Sequence, residues 1–482
     1  MPGSESLEHR LAVLDGLRRI LVEELQVPRD PAELDGDTPL FVSGLGLDSL
    51  DAVELVTYAQ SEFRVTLAHG GTVEPRVMRT LNTLADAVLA AQGAAALGDV
   101  GAARRAHAEA GRRPGTEAGA LAAPHPAPPP PVSLSAKATD LEIIRKRVAI
   151  SDTCELAVLR VPDGAQAAAL DRVLPCDTRL RPGEARQSFV LDARGVPLCD
   201  LVLCREREGF VLLAEGCPRP ALVGELARLS PGALDLGGGT GGRSGADAET
   251  ATLCVDGPCA FALLARRFHA GIVAMPYMSF FRPDDSSLCL RAGTMGEYGY
   301  VLLLPAERLD AERARLLDLG ADLDARLVGR DAVDEARLEQ AFWNPRREAR
   351  FGLDAVELQQ QWRLQPGKAH PGAAALSARR LDEGRRMRVA FRASGELREG
   401  DPVVRGGESC GAVLLAAPSS HGPGWIGLAA LRRPLAHSGM AGFVCNGADL
   451  HIVSPPFVSN LSLGVDPRRQ AAARSPHPRR EP

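Results

Sequence analysis

The run APHPAPPPPVSL, centred on Pro128–Pro131, constrains this chain more than any other feature. Consecutive prolines lack backbone N–H groups and have fixed φ, so they cannot form helix interior and favour an extended, semi-rigid spacer. The residues before them, rich in Ala, Gly and Arg, continue the same low-complexity stretch. Two folded parts are therefore expected on either side of a linker over residues 94–136, which lets the front part move relative to the rest. At 482 residues the chain is also too long for one core.

No run approaches the ~20 apolar residues of a membrane span, and MPGSESLEHR lacks an export signal, so a cytoplasmic protein without a membrane partner is expected. The net charge of −5 is uneven. Residues 1–93 hold 15 acidic against 7 basic side chains, a poor match for nucleic acid and a good one for basic protein surfaces. The ten cysteines include no CxxC pair and no neighbouring histidine, which argues against a metal centre. Cys199, Cys204, Cys254 and Cys289 lie in apolar strand-like segments and read as buried, reduced thiols.

Residues 1–93 read as helical. Leu11, Leu14, Leu17, Ile20, Leu21 and Leu25 form one apolar stripe, a second helix begins at Ser49, and a last one lies near Met78–Leu89. After the linker, Gln187–Leu191, Val196–Cys204 and Phe210–Ala214 read as a strand meander. Helices are expected over Cys259–Phe268, Arg308–Leu319 and Ala332–Phe342. From about Arg386 the segments RVAFRA, DPVVR, GAVLLAA, WIGLAAL and DLHIV, separated by Gly-rich turns, suggest a small barrel. The expected boundaries are 1–93, 94–136 (linker), 137–380, 381–470 (barrel) and 471–482 (disordered tail).

The segment GLGLDSLDAVELV puts Asp48–Ser49 at a helix start, where a serine is ordinarily a cap. With the acidic helix that follows (Asp48, Asp51, Glu54), it resembles acyl and peptidyl carrier proteins over residues 5–92. The resemblance implies a four-helix carrier whose Ser49 hydroxyl takes 4'-phosphopantetheine. A phosphodiester at a helix N-terminus is favoured by the dipole and free amides. The implied partners are a phosphopantetheinyl transferase and acyl-loading or synthase enzymes that dock on the acidic carrier.

Residues ~140–465 resemble the aminomethyltransferase family, represented by the T-protein of the glycine cleavage system and its folate-dependent demethylase relatives. The resemblance rests on LPCDTRLRPGEARQSFVLDARGVPLCDLVL, VDGPCAFALL, RAGTMGEYGYVLLLP, GRDAVDEARLEQAF and HIVSPPFVS. It implies an α+β folate-binding fold ending in the barrel. It also implies that Asp200 contacts tetrahydrofolate near its reactive nitrogen, with Glu297 and Arg337 as further folate-binding candidates. Period 2 places Asp200 on one strand face with Leu198, Val202 and Cys204, a lone carboxylate among apolar neighbours. Three positions depart from the family: Val301 stands where a glutamate binds the pterin, Val333 where an arginine precedes the helix aspartate, and Ala214 where an asparagine follows the meander. QPGKAHPG lacks the cysteine of the iron–sulfur maintenance branch.

LDLGGGTGG at Leu234–Gly242, with Asp256 beyond, is locally similar to the glycine loop of S-adenosylmethionine methyltransferases. That loop needs a helix directly after it, and RSGADAETA supplies no apolar face, so it reads as a surface loop. The function expected is a carrier-tethered, tetrahydrofolate-dependent one-carbon transferase or demethylase acting on an acyl thioester in natural-product biosynthesis. Its rival is a carrier whose large domain is a catalytically silent scaffold.

Overall fold

A computed structural model describes residues 4–41, 44–67, 73–106, 139–152, 156–232 and 250–464. Most of the expected linker, the glycine run Leu234–Gly242 and the tail 471–482 lie outside them. The chain divides into two compact units, Met1–Ser133 and Leu134–Pro482.

The first unit is helical: α1 (Ser4–Arg19), α2 (Ser49–Phe63) and α3 (Leu81–Ala106), with a π-helical turn at Ile20–Glu24 and a 3-10 turn at Pro31–Glu33. The stripe read from sequence is the core face. Leu14, Leu17, Ile20 and Leu21 are buried against Leu55, Val56 and Ala59 of α2 and Leu81, Leu84 and Val88 of α3. Each buried Leu, Ile or Val side chain contributes about 1.5–3 kcal/mol by leaving water. Arg10, buried in the same layer, donates to Asp86 Oδ1 at 2.6 Å and Asn82 Oδ1 at 3.0 Å, tying α1 to α3. The last helix runs on to Ala106, past residue 93, because the Ala-rich sequence there continues to favour helix.

The second unit opens with α4 (Asp140–Lys146), β1 (Val148–Ser151), β2 (Leu156–Pro162) and α5 (Ala165–Val173). The meander follows as β3 (Ala185–Leu191), β4 (Pro197–Glu206) and β5 (Gly209–Glu215), then α6 (Arg219–Leu229). Asp192 makes the β3–β4 turn by accepting from the backbone N–H groups of Arg194 and Val196, with Gly195 at φ +82°. Next come β6 (Thr250–Asp256), α7 (Ala260–Arg267), β7 (Phe280–Phe281), β8 (Leu288–Leu290), β9 (Gly299–Pro305), α8 (Leu309–Leu319) and β10 (Ala325–Leu327). The chain continues through α9 (Arg330–Glu339), α10 (Pro345–Glu348) and α11 (Ala373–Leu381).

Two sheets result, ordered β2-β5-β4-β3 and β10-β1-β6-β9-β8-β7. In the first, Cys199, Leu201 and Leu203 pack on the side of α5 and α6, while Cys204, Val211 and Leu213 pack toward the second sheet. The barrel is closed, β11-β14-β13-β12-β15-β16, from β11 (Arg386–Ala393), β12 (Pro402–Arg405), β13 (Glu408–Pro418), β14 (Trp425–Arg432), β15 (Phe443–Cys445) and β16 (Ala448–Val453). Five of its strands match the segments read from sequence. The sixth, β15, is three residues between glycine turns, too short for a period to show. Among the described residues, no helix is long and apolar enough to cross a membrane, and no group of side chains could hold a metal ion. Cys199, Cys204, Cys254 and Cys289 are buried thiols as expected, and burial pushes those of Cys199, Cys204 and Cys289 above the usual range.

Candidate functional site

At the carrier helix the capping role falls to the aspartate rather than to the serine. Asp48 Oδ1 accepts from the backbone N–H of Leu50 at 2.7 Å and of Asp51 at 3.0 Å. Asp51 Oδ2 accepts in return from the N–H of Asp48 at 2.8 Å, closing a capping box. Ser49 is the first residue of α2. Leu55 turns inward, whereas Leu50 and Val53 are 64% and 63% exposed beside the exposed acids Asp48 and Glu54. Large apolar side chains left in water next to carboxylates form a surface suited to a partner with an apolar, basic face.

In the second unit, strand register puts Phe189, Asp200 and Glu215 in one row, because Asp200 lies directly opposite Phe189 on β3 and Glu215 on β5. Two adjacent buried acids repel, and three arginines answer them. Arg363 donates to Asp200 Oδ1 at 2.7 Å. Arg337 Nη1 and Arg346 Nε both donate to Glu215 Oε1, at 2.6 and 2.9 Å, and Arg346 reaches Asp334 Oδ1 at 2.7 Å. Arg337 also donates to the Trp343 carbonyl at 2.7 Å. Asp334 and Arg337 stand one turn apart on α9, so a single helix face supplies both.

The two acids diverge electrostatically. Burial raises Asp200 above the usual carboxylate range, with Arg363 opposing and Glu215 adding. Burial acts the same way on Glu215, but Arg337 and Arg346 overcome it and hold that carboxyl below its ordinary value. The acid expected to stand alone thus has an ion partner, and it remains the acid disposed to carry a proton. Tyr277 borders both Asp200 and Arg363; desolvation pushes its hydroxyl up to about 12, although the residue is partly exposed. Phe189 and Trp343 meet edge to face at 5.5 Å and form an aromatic wall beside the row.

Of the residues singled out from sequence, Asp200 and Arg337 fall in this network and Glu297 does not. Glu297 accepts from Asn460 Nδ2 at 3.1 Å and from Ser462 N and Oγ at 2.9 and 2.6 Å. It neighbours Arg145, which also holds Glu339. Asp256 belongs to that second cluster. It is 3% exposed, packed against Gly299, and burial with Glu297 pushes its carboxyl up to about 8 against the pull of Arg145. It is therefore not presented to a ribose, as the methyltransferase alternative requires.

Val301 lies between Cys254 and Leu290 on the neighbouring strands, and Val333 is packed with Ile144, Met295 and Ala336. Ala214 faces α5 and α6, on the opposite side of the sheet from Asp200. The polar residue of that strand that faces Asp200 is Glu215. Sequence reading missed Glu215 and Arg363. The first carried a signal, as an acid ending an otherwise apolar strand; the second sits in the 3-10 turn Gln361–Arg363, where no period marks it.

The family described as the GCVT N-terminal domain matches residues 122–368, and the phosphopantetheine attachment site matches residues 15–88. An aminomethyltransferase of Synechococcus sp. (strain WH7803) is 26% identical over 310 residues, 59% of this chain and 79% of that protein. Among solved structures, the glycine cleavage system aminomethyltransferase T from Bartonella henselae superposes with a TM-score of 0.56 at 22% identity, covering 67% of this chain and 89% of that one, a likeness of fold. An acyl-carrier-like unit with a phosphopantetheine attachment site thus precedes a unit like the folate-dependent aminomethyltransferases, and the chain belongs to the GCVT family.

Proposed function

We propose that this chain is a carrier-tethered one-carbon transferase. An acyl group held as a thioester on the phosphopantetheine arm of Ser49 is presented to the GCVT-like unit, where a methyl or methylene unit is gained or lost beside Asp200. The observation that carries this reading is the buried Asp200, raised toward protonation and oriented by Arg363. The donor set fits a reduced pterin on this side. Asp200 lies in register with Phe189, whose ring meets that of Trp343 edge to face, and the Trp343 indole Nε1 is buried there without a hydrogen-bond partner. At position 301 the fit is poorer. Valine leaves a pterin edge unpaired at a cost of about 1–3 kcal/mol, so folate affinity is expected to be modest.

Tetrahydrofolate, when bound, would supply or accept the one-carbon unit. The chain's own part is to hold or move a proton at the Asp200 carboxyl, which Arg363 orients and the buried Phe189 and Trp343 rings back. Arg337 acts through Glu215 and Trp343, as a positioning residue. Tethering raises the local substrate concentration to roughly the mM range, which lets a weak site work. A phosphopantetheinyl transferase converts the chain to its active form. Acyl-loading or synthase enzymes of a natural-product pathway then dock on the acidic, partly apolar surface of α2.

The test is incubation of the full chain with a broad-range phosphopantetheinyl transferase and coenzyme A, followed by calorimetric titration with tetrahydrofolate. Addition of the arm to the native chain and not to Ser49→Ala, with measurable folate binding weakened in Asp200→Asn, supports the reading. An unmodified serine removes the carrier half, and absence of folate binding removes the transferase half. In the second case the rival holds, a carrier joined to a silent docking scaffold, which the apolar packing of Val301 and Val333 favours.

A further inference from the structure

Beside Asp200 the structure holds a cation, Arg363, to which the folate reading gives only the orienting of that acid and no ligand of its own. The Arg363 side chain is 6% exposed, and its guanidinium lies over the rings of Phe189 and Trp362, at 4.8 and 5.0 Å from their centroids. Its Nη1 donates to Asp200, while its buried Nε has no hydrogen-bond partner. A buried guanidinium N–H without an acceptor is a donor that a ligand oxygen can satisfy, and here it lies next to the acid of the site.

The charge balance agrees. Arg337, Arg346 and Arg363 face Asp200, Glu215 and Asp334, so the network is neutral only while all three acids are ionised. Burial works against that at Asp200, and with its carboxyl protonated the row carries one positive charge in excess. Glu215 and Asp334 are engaged by Arg337 and Arg346, and Tyr277, the other titratable group at Arg363, stays neutral below about 12.

We propose that Arg363 is the specificity residue of this site and binds a free carboxylate on the acyl group, so that the substrate class is a dicarboxylic acid held at one end as the carrier thioester. The planar guanidinium, kept flat by the two rings, suits a carboxylate better than a lysine ammonium does. The inference rests on the proposal that the acyl group is presented at this site.

Trp362 next to Arg363 gives the test its signal. The full chain is titrated with malonyl-pantetheine, succinyl-pantetheine and butyryl-pantetheine while tryptophan fluorescence is followed. At least one of the two acid analogues is expected to bind ten times or more tighter than the butyryl analogue. That preference is expected to disappear in Arg363→Gln and to shrink in Arg363→Lys. Equal binding of acid and neutral analogues by the native chain overturns the inference whether or not the variants fold. So does an acid preference that survives Arg363→Gln in a chain with native circular dichroism.

The glutamate tail of folate is another carboxylate source, and tetrahydrofolate and tetrahydropterin form separate arms. Loss of tetrahydrofolate binding alone in Arg363→Gln, with the acid preference intact, assigns the residue to folate and overturns the proposal. A chain that prefers the acid analogue yet binds no folate keeps this inference and loses the folate reading instead.

Discussion

Two of the buried acid clusters in the GCVT-like unit solve the same electrostatic problem in different ways. In one, Asp200, Glu215 and Asp334 meet Arg337, Arg346 and Arg363. In the other, Asp256, Glu297 and Glu339 share the single buried cation Arg145. Charge count alone makes the second cluster look like the reactive one. Hydrogen-bond satisfaction points the other way. Arg145 donates to Glu339, to the Met295 carbonyl and to the Ala336 carbonyl. Glu297 is occupied by Asn460 and Ser462, and Ser420 Oγ donates to Glu339. Those bonds join α9, the turn before β9 and the residues after the barrel, so the cluster is a structural tie. In the first cluster Arg363 Nε, Trp343 Nε1 and Asn344 Oδ1 are buried without hydrogen-bond partners. α9 serves both, with Arg337 toward the site and Glu339, two residues and about 200° further round, toward the tie.

Breaking the tie is expected to have the largest effect on folding. Arg145→Met leaves Glu339 and Glu297 buried and unpaired and is expected to cost about 3–5 kcal/mol, read as a lower urea midpoint. Trp343, Trp362 and Trp425, the three tryptophans of the chain, all report on this unit. A cost below about 1 kcal/mol contradicts the structural role given to the cluster. Asp200→Asn keeps an acceptor for Arg363 and is expected to lower the urea midpoint less than Arg145→Met does, while lowering one-carbon transfer by about a hundredfold or more.

Asp256 sharpens the contrast through pH. Its folded carboxyl titrates at about 8 against an ordinary value of 3.8, so over that window the folded state holds a proton that the unfolded chain has released. Its contribution to stability is full below about pH 4 and is lost as pH rises toward 8. Asp256→Asn is expected to flatten this decline and to be more stable than the native chain at pH 8 by about 1–2 kcal/mol. A steeper decline in the variant refutes the assignment. The smallest effect is expected for Ser420→Ala, within about 1 kcal/mol, because Arg145 still holds Glu339.

What was legible in the sequence follows the range of each interaction. The carrier stripe, the meander and five barrel strands repeat within a few residues, and period alone exposes them. Asp200 showed itself as an acid on an apolar strand face, and Asp48–Ser49 as a helix start. The partners of these groups did not show. Arg363 is 163 residues from Asp200, and Ser462 is 165 from Glu297. No local pattern encodes such pairings, which arise only when the sheet, α9 and the segment after the barrel pack together. That distance is why Asp200 read as solitary and why Glu297 read as a ligand contact, when its acceptors are filled from within the chain.

The most direct test is the intact mass of the full chain, loaded through coenzyme A with a dicarboxylic acyl group and incubated with and without a one-carbon form of tetrahydrofolate. A mass change of one carbon unit on the acyl-phosphopantetheine, seen only with the folate and lost in Asp200→Asn, is the result this account expects. A fully loaded carrier whose acyl mass stays constant with both methyl- and methylene-tetrahydrofolate, and with unsubstituted tetrahydrofolate as acceptor, contradicts it.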